Sequence, residues 1–339
     1  MNEERHASAS WAGGMVPEVS VIVPTHDRAA YLGELVAALE AQTFPASRFE
    51  VLIVDDASSD ATWSALHEIA ARTPARLLAA RLSANAGPAA ARNHAVSLAR
   101  GARLAFTDDD CLPDAGWLSE IVDGLRTTDV VQGRTLPVPA ELGSAGPWAR
   151  TVWITRRSDL FETCNIGWMR EAFDRVGGFE AARPDSPART RAHFGEDAEL
   201  GWRLLSSGGT FAFRPGALVH HRVHPGSFVD WLGERRRLGL FPSLVRRAPG
   251  LRKALRLGLF LSSDTAAFDL AIAGGVVAAF LRNPWPLLAA LPWLALRWRQ
   301  AGDRPGRPRP VRVAQLAIGD AVGLAALVAG SVRAGRPVL

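Results

Sequence analysis

The stretch Val19-Ser20-Val21-Ile22-Val23-Pro24-Thr25-His26-Asp27-Arg28 contains the pattern on which the fold is built. Its first five residues are mostly β-branched and predict a buried strand that Pro24 stops. Polar residues follow, and the segment from Ala29 to Gln42 then has leucines and alanines at helical spacing. A strand, a polar turn and an amphipathic helix in this order make one βα unit of a parallel sheet.

The same pattern recurs along the chain as far as Phe106. The further segments are a strand at Val51–Val54, a helix capped by Ser59 or Asp60 and running through Ala71, a strand near Arg76–Arg81, a helix from Pro88 to Arg100, and a strand at Leu104–Phe106. Repeated units of this length predict an α/β fold with a mostly parallel, Rossmann-like sheet, flanked by helices and joined by right-handed crossovers.

Polar residues follow the predicted strands or open the next helix, where the strands of a parallel sheet share one edge. The four groups are Pro24–Arg28, Asp55–Asp60, Asn85–Asn93 and Asp108–Asp110. Each group alone is also typical of an ordinary turn or helix cap. Four groups at one edge favour a binding site instead.

The residue types in these groups suit a nucleoside diphosphate with a divalent cation. Asp27 and Asp55 can accept hydrogen bonds from a base or ribose, and Arg92 can neutralise a phosphate. Asp108 and Asp110 can hold Mg²⁺ or Mn²⁺, which compensates the repulsion between adjacent carboxylates. The sequence contains no G-x-x-x-x-G-K-[ST] motif and no G-x-G-x-x-G after the first strand, which disfavours a P-loop ATPase and a dinucleotide oxidoreductase.

Composition limits the class of protein further. Of the 339 residues 48% are hydrophobic and 22% charged, which excludes a disordered or collagen-like chain. The net charge of +5 indicates an anionic partner such as a nucleotide, a nucleic acid or an acidic membrane surface. Cys111 and Cys164 lack disulfide or metal-site spacing and suit a reducing compartment. Residues 1–16 have no apolar core, so we expect a disordered leader there and not a signal peptide.

The last third, residues 229–339, is rich in arginine and apolar residues. Its apolar segments are 257–281, 285–296 and 313–332, whereas a membrane span needs about 20 apolar residues. The first contains Asp264 and Asp269, the second is short and contains two prolines, and the third contains Asp320. One interpretation is a helical domain packed on the sheet. The other is membrane association, by a hairpin or by interfacial helices, which the flanking arginines favour.

The motifs together resemble those of the family 2 glycosyltransferases of GT-A fold. The motifs are Val19–Arg28, Val54–Asp60, Asn85–Gly87 with Ala91–Asn93, Phe106–Asp110, Asn165 with Arg170–Phe179, and Phe194–Arg203. The resemblance covers about Val19 to Ser227 and leaves the last third unexplained. It implies a GT-A domain over residues 17–228, followed by a hydrophobic helical region over 229–339.

The resemblance also implies roles for individual residues. Those expected to bind the nucleotide are Pro24, Thr25, Asp27, Arg28, Asp55, Asp56, Arg92, Asp108 and Asp109. Asp110 is expected to be the principal ligand of Mg²⁺ or Mn²⁺, with Asp108 and His221 beside it and His220 as an alternative to His221. Asp197 is expected to be the general base with Glu196 as its neighbour, although an acidic pair also suits a helix N-terminus. Asn165 is expected on the acceptor side. Trp168 is an acceptor-side candidate for a different reason, since sugar rings stack on aromatic faces, and a buried aromatic cluster is the alternative interpretation.

The implied activity is metal-dependent, inverting transfer of a sugar from a UDP-, GDP- or dTDP-sugar to a hydroxyl of a lipid-linked or cell-envelope glycan. The expected location is the cytoplasmic face of the membrane, with its anionic surface as a partner and no nucleic acid. A sugar nucleotidyltransferase is an alternative, although its glycine-rich phosphate loop is missing here. A non-catalytic nucleotide-sugar or polysaccharide-binding module is another, although Asp110 and Asp197 are both present.

Overall fold

A computed structural model describes residues 4–12, 15–143, 146–180, 194–302 and 308–339 of the chain. The chain forms two compact units. The first consists of Met1–Pro139 and Thr151–Arg222, and the second of Ala140–Arg150 and Val223–Leu339. The division thus falls slightly before the boundary predicted at residues 228 and 229, and it assigns to the second unit a short segment that the sequence placed in the first.

The first unit contains a nine-stranded sheet in the order β1-β4-β3-β2-β5-β8-β7-β9-β6. The strands are β1 (Arg5–Ala7), β2 (Val19–Thr25), β3 (Phe49–Asp55), β4 (Leu77–Arg81), β5 (Arg103–Thr107), β6 (Cys111–Pro113), β7 (Val130–Pro137), β8 (Asn165–Met169) and β9 (Phe211–His221). Strands β2 to β5 pair in parallel, as the βα units predict, whereas β8 pairs antiparallel with both β5 and β7. The sheet as a whole is therefore mixed.

Twelve α-helices lie in the described part of the chain. They are α1 (Ala29–Glu40), α2 (Thr62–Arg72), α3 (Pro88–Leu98), α4 (Trp117–Gly124), α5 (Pro139–Leu142), α6 (Arg170–Arg175), α7 (Glu196–Ser206), α8 (Phe228–Arg237), α9 (Phe241–Arg247), α10 (Ser263–Leu281), α11 (Leu291–Gly302) and α12 (Arg309–Ala334). Four 3₁₀ helices accompany them, at Ala46–Arg48, Leu238–Leu240, Pro249–Ala254 and Trp285–Ala290.

The two faces of the sheet each bury their own core. On β2, Val19, Val21 and Val23 pack with leucines of α1, whereas Ile22 faces the other side and packs with Ala91 and Ala95 of α3. All seven residues of β2 are buried, which is typical of a parallel strand covered by helices on both faces. Pro24 does not end this strand as predicted, because the pairing with β3 continues through Thr25.

Part of the predicted disordered leader is ordered. Arg5–Ala7 form β1, the edge strand of the sheet, which pairs antiparallel with β4. The side chain of Ser8 accepts a hydrogen bond from the Leu77 backbone N–H at 3.0 Å, which extends the attachment. The sequence did not predict this strand because its three residues have no apolar pattern. Backbone pairing with β4 holds it in place.

The second unit is helical, as expected for residues 229–339. It has its own small core of Trp148, Ala301 and Leu316 with Phe228, Trp231 and Val313 packed against it. Two of the described helices, α10 and α12, are long and apolar enough to cross a membrane.

Candidate active site

A cavity of about 360 Å³ lies at the carboxyl ends of β2, β3 and β5. Its lining comes from all four polar groups identified in the sequence, together with one histidine from β9. The residues are Pro24, Thr25, His26, Arg28, Asp56, Asn85, Gly87, Pro88, Arg92, Asp108, Asp109, Asp110 and His221. The structure therefore brings together segments that are up to about two hundred residues apart in the chain, because parallel strands end at one edge of the sheet.

Asp56 shapes the side of the cavity that α3 enters. Its carboxylate accepts hydrogen bonds from the backbone N–H groups of Ala86 and Gly87, both at 2.7 Å. Gly87 precedes α3 with φ of 89° and ψ of 166°, a conformation that only glycine adopts readily. Pro88 then begins the helix, where a missing N–H costs nothing. Asp56 thus fixes the loop that forms one wall.

Asp27 and Asp55 do not line the cavity, contrary to their predicted contact with a base or ribose. Asp55 is fully buried, accepts hydrogen bonds from the Ser58 N–H and hydroxyl, and lies 3.2 Å from the Arg81 guanidinium. Asp27 accepts hydrogen bonds from the backbone of Ser59 and Asp60, and the Ser59 bond in particular lowers the pKa of Asp27. Both carboxylates instead stabilise the turn after β3.

Asp109 lies in the cavity wall between the other two aspartates of the cluster. The Thr25 hydroxyl donates to its Oδ2 at 2.6 Å, and Arg28 Nε lies 4.0 Å from its Oδ1. Burial, together with the charges of Asp110 and Asp108, raises the pKa of Asp109 to about 7, although the Thr25 hydrogen bond lowers it. A cation in the cavity would relieve this repulsion.

Asp110 and His221 lie next to each other in the lining of the cavity. Asp110 Oδ1 lies 3.4 Å from His221 Nε2, and both side chains are largely buried. His221 Nδ1 lies 2.7 Å from the Arg222 carbonyl oxygen. A carbonyl can only accept, so Nδ1 carries the hydrogen, and Nε2 is the ring nitrogen that can bind a metal ion beside Asp110. His220, the alternative, is on the opposite face of β9 and lies 3.4 Å from the Pro137 carbonyl oxygen.

A carboxylate oxygen and an imidazole nitrogen converging in this way fit a divalent cation. Mn²⁺ accepts both ligand types, and Mg²⁺ takes the carboxylate together with substrate phosphates. Asp108 is less well placed for this role because its Oδ1 accepts a hydrogen bond from Arg92 Nη2 at 2.8 Å.

Arg92 connects the aspartate cluster to the predicted catalytic pair. Besides Asp108, its Nη1 lies 3.5 Å from Glu196 Oε1 and 3.8 Å from Asp197 Oδ1. Burial disfavours charge on Arg92, but the carboxylates of Asp108, Asp197 and Glu196 outweigh it and raise the pKa of the guanidinium. Glu196 and Asp197 do not line the cavity themselves, and Arg92 stands between them and it.

The two carboxylate oxygens of Asp197, at the start of α7, differ in their hydrogen-bond partners. Its Oδ2 accepts from the Thr163 N–H and from the Thr163 hydroxyl, each at 3.0 Å. Its Oδ1 is buried and has no hydrogen-bond donor among the described residues. Burial raises the pKa of Asp197, and it also raises that of Glu196, to about 8, with the neighbouring Asp197 charge as the next cause.

The predicted acceptor-side residues Asn165 and Trp168 are interior residues of β8. Asn165 is fully buried, accepts from Trp117 Nε1 and donates to the carbonyls of Arg134 and Ala217, all at 2.9 Å. Trp168 is 1% exposed and packs edge-on against Phe173. Neither can contact an acceptor from these positions, so this prediction is corrected to a structural role.

The sequence did not single out three residues that the structure places at or near the site. His26 and Asn85 line the cavity and lie within hydrogen-bond distance of each other, with Asn85 Nδ2 3.1 Å from His26 Nε2. Both stand inside the quoted motifs, so the motifs were the available signal. Thr163 holds Asp197, and no sequence pattern pointed to it.

Residues 20–186 match the family model described as Glycosyl transferase family 2. These residues form a family 2 glycosyltransferase domain. The resemblance seen in the sequence is thereby confirmed, although Glu196, Asp197 and His221 lie beyond the matched residues.

Curated proteins similar to this chain are named as glycosyltransferases or as proteins of polysaccharide biosynthesis. Glycosyltransferase AglE of Haloferax volcanii is 35% identical over 115 residues, which are 34% of this chain and 38% of that protein. Succinoglycan biosynthesis protein ExoM of Rhizobium meliloti is 29% identical over 67% of this chain and 76% of its own length. The poly(ribitol-phosphate) β-N-acetylglucosaminyltransferase TarS of Staphylococcus aureus is 39% identical over 27% of this chain and 16% of TarS. The chain thus spans well under two thirds of AglE and TarS.

A solved structure supports the fold. The mannosyltransferase PcManGT from Pyrobaculum calidifontis, solved in complex with GDP-Man and Mn²⁺, superposes with a TM-score of 0.56 at 24% identity, covering 94% of this chain and 87% of that one. The GT-A fold class predicted from the sequence is therefore confirmed.

Proposed function

We propose that this family 2 glycosyltransferase transfers a sugar from a nucleotide-diphospho-sugar to a hydroxyl group, with inversion and with a divalent cation. The nucleotide diphosphate would occupy the cavity that Thr25, Asp56 and Asp109 line. Asp197 would be the general base. The surroundings of the two Asp197 oxygens carry this proposal.

The chemistry assigned to Asp197 is removal of one proton. Oδ2 is held by Thr163, so Oδ1 is the oxygen with a free lone pair for an acceptor O–H. As the proton moves to Oδ1, the acceptor oxygen bonds to the anomeric carbon and the bond from that carbon to the diphosphate oxygen breaks. Since burial raises the pKa of Asp197, it is a stronger base than an ordinary aspartate.

Asp110 and His221 would hold Mg²⁺ or Mn²⁺, with Asp108 nearby. When bound, the cation supplies charge stabilisation for the departing diphosphate. Arg92 would hold Asp108 in place and balance the charge of the Glu196–Asp197 pair, since its guanidinium is already engaged with all three carboxylates. The sequence predicted that Arg92 contacts a phosphate directly. We propose instead that its main function is to bind these carboxylates.

The acceptor and location belong to the same proposal. ExoM is named for succinoglycan biosynthesis and TarS for the transfer of N-acetylglucosamine to poly(ribitol-phosphate), which supports a cell-envelope or lipid-linked glycan as the acceptor. The arginines and apolar helices of the second unit support attachment to an anionic membrane surface at the cytoplasmic face. The donor in this proposal is a UDP-, GDP- or dTDP-sugar.

The substitution Asp197→Asn tests the assignment of the base. It keeps the shape and removes the basic oxygen, so we expect transfer to fall by about 10² to 10⁴-fold. Binding of nucleoside diphosphates with Mn²⁺, measured by thermal stabilisation over a panel of UDP, GDP and dTDP, should change little. The exposed Glu68→Gln is a matched control that should retain full activity. Transfer by Asp197→Asn within a few-fold of the unaltered enzyme would remove Asp197 as the base.

A further inference from the structure

The segment from Ser263 to Arg297 forms an antiparallel hairpin in the second unit. α10 is its outgoing limb, residues 282–284 its tip, and the 3₁₀ helix Trp285–Ala290 with the start of α11 its returning limb. The limbs contact each other at three levels. Arg297 Nη1 donates to Asp264 at 3.0 Å, the rings of Phe268 and Trp293 are 5.5 Å apart, and Gly274 packs against Pro286 and Ala289.

Both limbs expose large apolar side chains. Outward-facing residues with 42% to 86% exposure are Leu270, Ile272, Val276, Val277, Phe280, Leu281, Trp285, Leu287, Leu288, Leu291 and Leu294. Only 11% of the apolar window of α10 is buried, so this helix is not a core helix of its unit. An exposed apolar surface of this extent on two paired limbs indicates that the hairpin contacts a protein or a membrane instead of water.

The charged residues of the hairpin lie toward its two ends, with Asp264, Asp269 and Arg297 on the side of the base and Arg282 at the tip. Between Leu270 and Leu296 the only charged residue is Arg282, at the tip. Trp285 is 72% exposed beside the tip, and Trp298 is 50% exposed just past the base. Tryptophan and arginine at two levels, with an uncharged apolar stretch between them, are typical of the two interfaces of a bilayer.

The side chains of Arg297, Trp293 and Asp320 at the base form hydrogen bonds with one another. Arg297, which is 3% exposed, donates through Nε and Nη2 to the two oxygens of Asp320 on α12, each at 2.7 Å. Trp293 Nε1 also donates to Asp320, at 2.8 Å. A paired network of this kind lets α12 hold the base of the hairpin with the buried Arg297 charge paired.

The second apolar helix is different. The buried face of α12 contains Gly319, Gly323 and Gly330, and Gly319 packs directly against Trp231, whereas Gly330 packs against the backbone of Gly239. One third of its apolar window is buried, three times the share of α10. α12 is therefore accounted for as a packed helix of the second unit.

We infer that the hairpin Ser263–Arg297, and not α12, is the element that enters the membrane, and that it crosses the hydrocarbon core so that Arg282 reaches the far interface. The 19 residues of α10 measure about 28 Å, close to the thickness of the bilayer core of roughly 30 Å. Basic residues are numerous within 20 residues of the base, for example Arg252, Lys253 and Arg299, against one at the tip, which keeps the base in the cytoplasm. The inference rests on the proposed membrane association and not on the transfer reaction.

Extraction of membranes with alkaline carbonate tests which helix inserts, using the full-length chain. We expect the unaltered protein to stay in the pellet and the double variant Val276→Glu/Phe280→Glu to move to the supernatant by about tenfold or more, because two carboxylates at core depth oppose insertion. The matched control Val328→Glu/Val332→Glu places two carboxylates on exposed positions of α12 and should stay in the pellet. Release of the control, or retention of the hairpin variant, would overturn the inference.

Cysteine labelling tests the depth without disturbing the apolar surface. Cys111 and Cys164 are buried, so a single added cysteine gives the signal. In intact spheroplasts a membrane-impermeant maleimide should label the Asn283→Cys variant, whereas Lys253→Cys should react only after lysis. Labelling of Asn283→Cys only after lysis contradicts the crossing. If the unaltered chain leaves the membrane in low salt, the proposed membrane association itself fails, and transfer activity is unaffected by either result.

Discussion

At the scale of single residues, the site depends on how Asp197 is held. One oxygen is fixed by two donors of Thr163 and the other lacks a donor among the described residues. A carboxylate restrained in this way cannot rotate to share its free lone pair with the protein. In the proposed reaction Thr163 would be a positioning residue, which acts through Asp197 alone.

Replacing Thr163 with valine should move the pH dependence of transfer. The variant keeps the shape and the backbone N–H but loses the hydroxyl donor, which stabilises the charged carboxylate. The pKa of Asp197 should therefore rise further, by about one unit for a hydrogen bond of roughly 1.5 kcal/mol. The base must be deprotonated to act. As the pH falls, the Thr163→Val variant should therefore lose activity at a higher pH than the unaltered enzyme. The measurement is the acid limb of kcat/KM against pH. Thr163→Ser should restore the original limb, and an unmoved limb in Thr163→Val would contradict the role.

The proposed metal ligands can be tested by a binding measurement, without an assay of transfer activity. In the unaltered protein, Mn²⁺ with a nucleoside diphosphate should raise the unfolding free energy, by about 2.7 kcal/mol at one hundred times the dissociation constant. Asp110→Asn and His221→Ala should each lose most of the additional stabilisation that Mn²⁺ gives. His220→Ala is the matched control, because that ring lies on the opposite face of β9 and should leave the effect intact. Equal loss in both histidine variants would disprove the assignment to His221.

At the scale of elements, α7 is held against the loop that carries Thr163. Phe161 has φ of 56°, and its ring covers Gly201 of α7 and stacks on Phe211 with centroids 4.4 Å apart. A β-carbon at Gly201 would overlap the Phe161 ring. The absence of a side chain at Gly201 thus fixes the distance between Asp197 and Thr163.

Gly201→Ala should destabilise the protein by about 1–3 kcal/mol through overpacking. It should also lower transfer, since Asp197 and Thr163 are displaced. Urea unfolding gives the first quantity. In a Phe161→Ala background the same substitution should cost markedly less, and this difference is the coupling between the two residues. The control is Gly233→Ala in α8, where a β-carbon meets nothing within 4 Å and alanine should be neutral or stabilising. Equal costs of Gly201→Ala in both backgrounds would exclude the contact.

Elements built from local patterns were predictable from the sequence, and those built from long-range pairing were not. The strands β2 to β5 and the helices between them follow the apolar periodicity. β6 has three residues, and β8 and β9 lie in loop-rich sequence where pairing partners decide the structure. In the site, Asp110 and His221 were identified by motif, whereas the burial of Asp55 and Asn165 depends on partners such as Arg81 and Trp117 that no spacing reveals.

At the scale of the whole molecule, the two units differ in the way they are stabilised. The first has two extended apolar cores on the faces of its sheet, whereas the second has a small aromatic core and a buried ionic network. The segment Ala140–Arg150 lies between strands of the first unit in sequence but belongs to the second. Cutting the chain after the sheet therefore leaves this segment without its partners.

A chain that ends at Gly226 should self-associate because it loses the cover of Trp148. In the full chain Trp148 is 7% exposed, with the rings of Phe228 and Trp231 at 5.1 and 4.8 Å, and the truncation removes both. An exposed tryptophan leaves roughly 200 Å² of apolar surface to contact a second molecule. Size-exclusion chromatography with light scattering should show larger species for the truncated chain, and Trp148→Gln in that chain should return it toward a monomer. Trp153→Gln is the matched control, since Trp153 is already 60% exposed in the full chain and its removal should change the association far less. A truncated chain that is monomeric with Trp148 intact would show that Ala140–Arg150 finds other cover without the second unit.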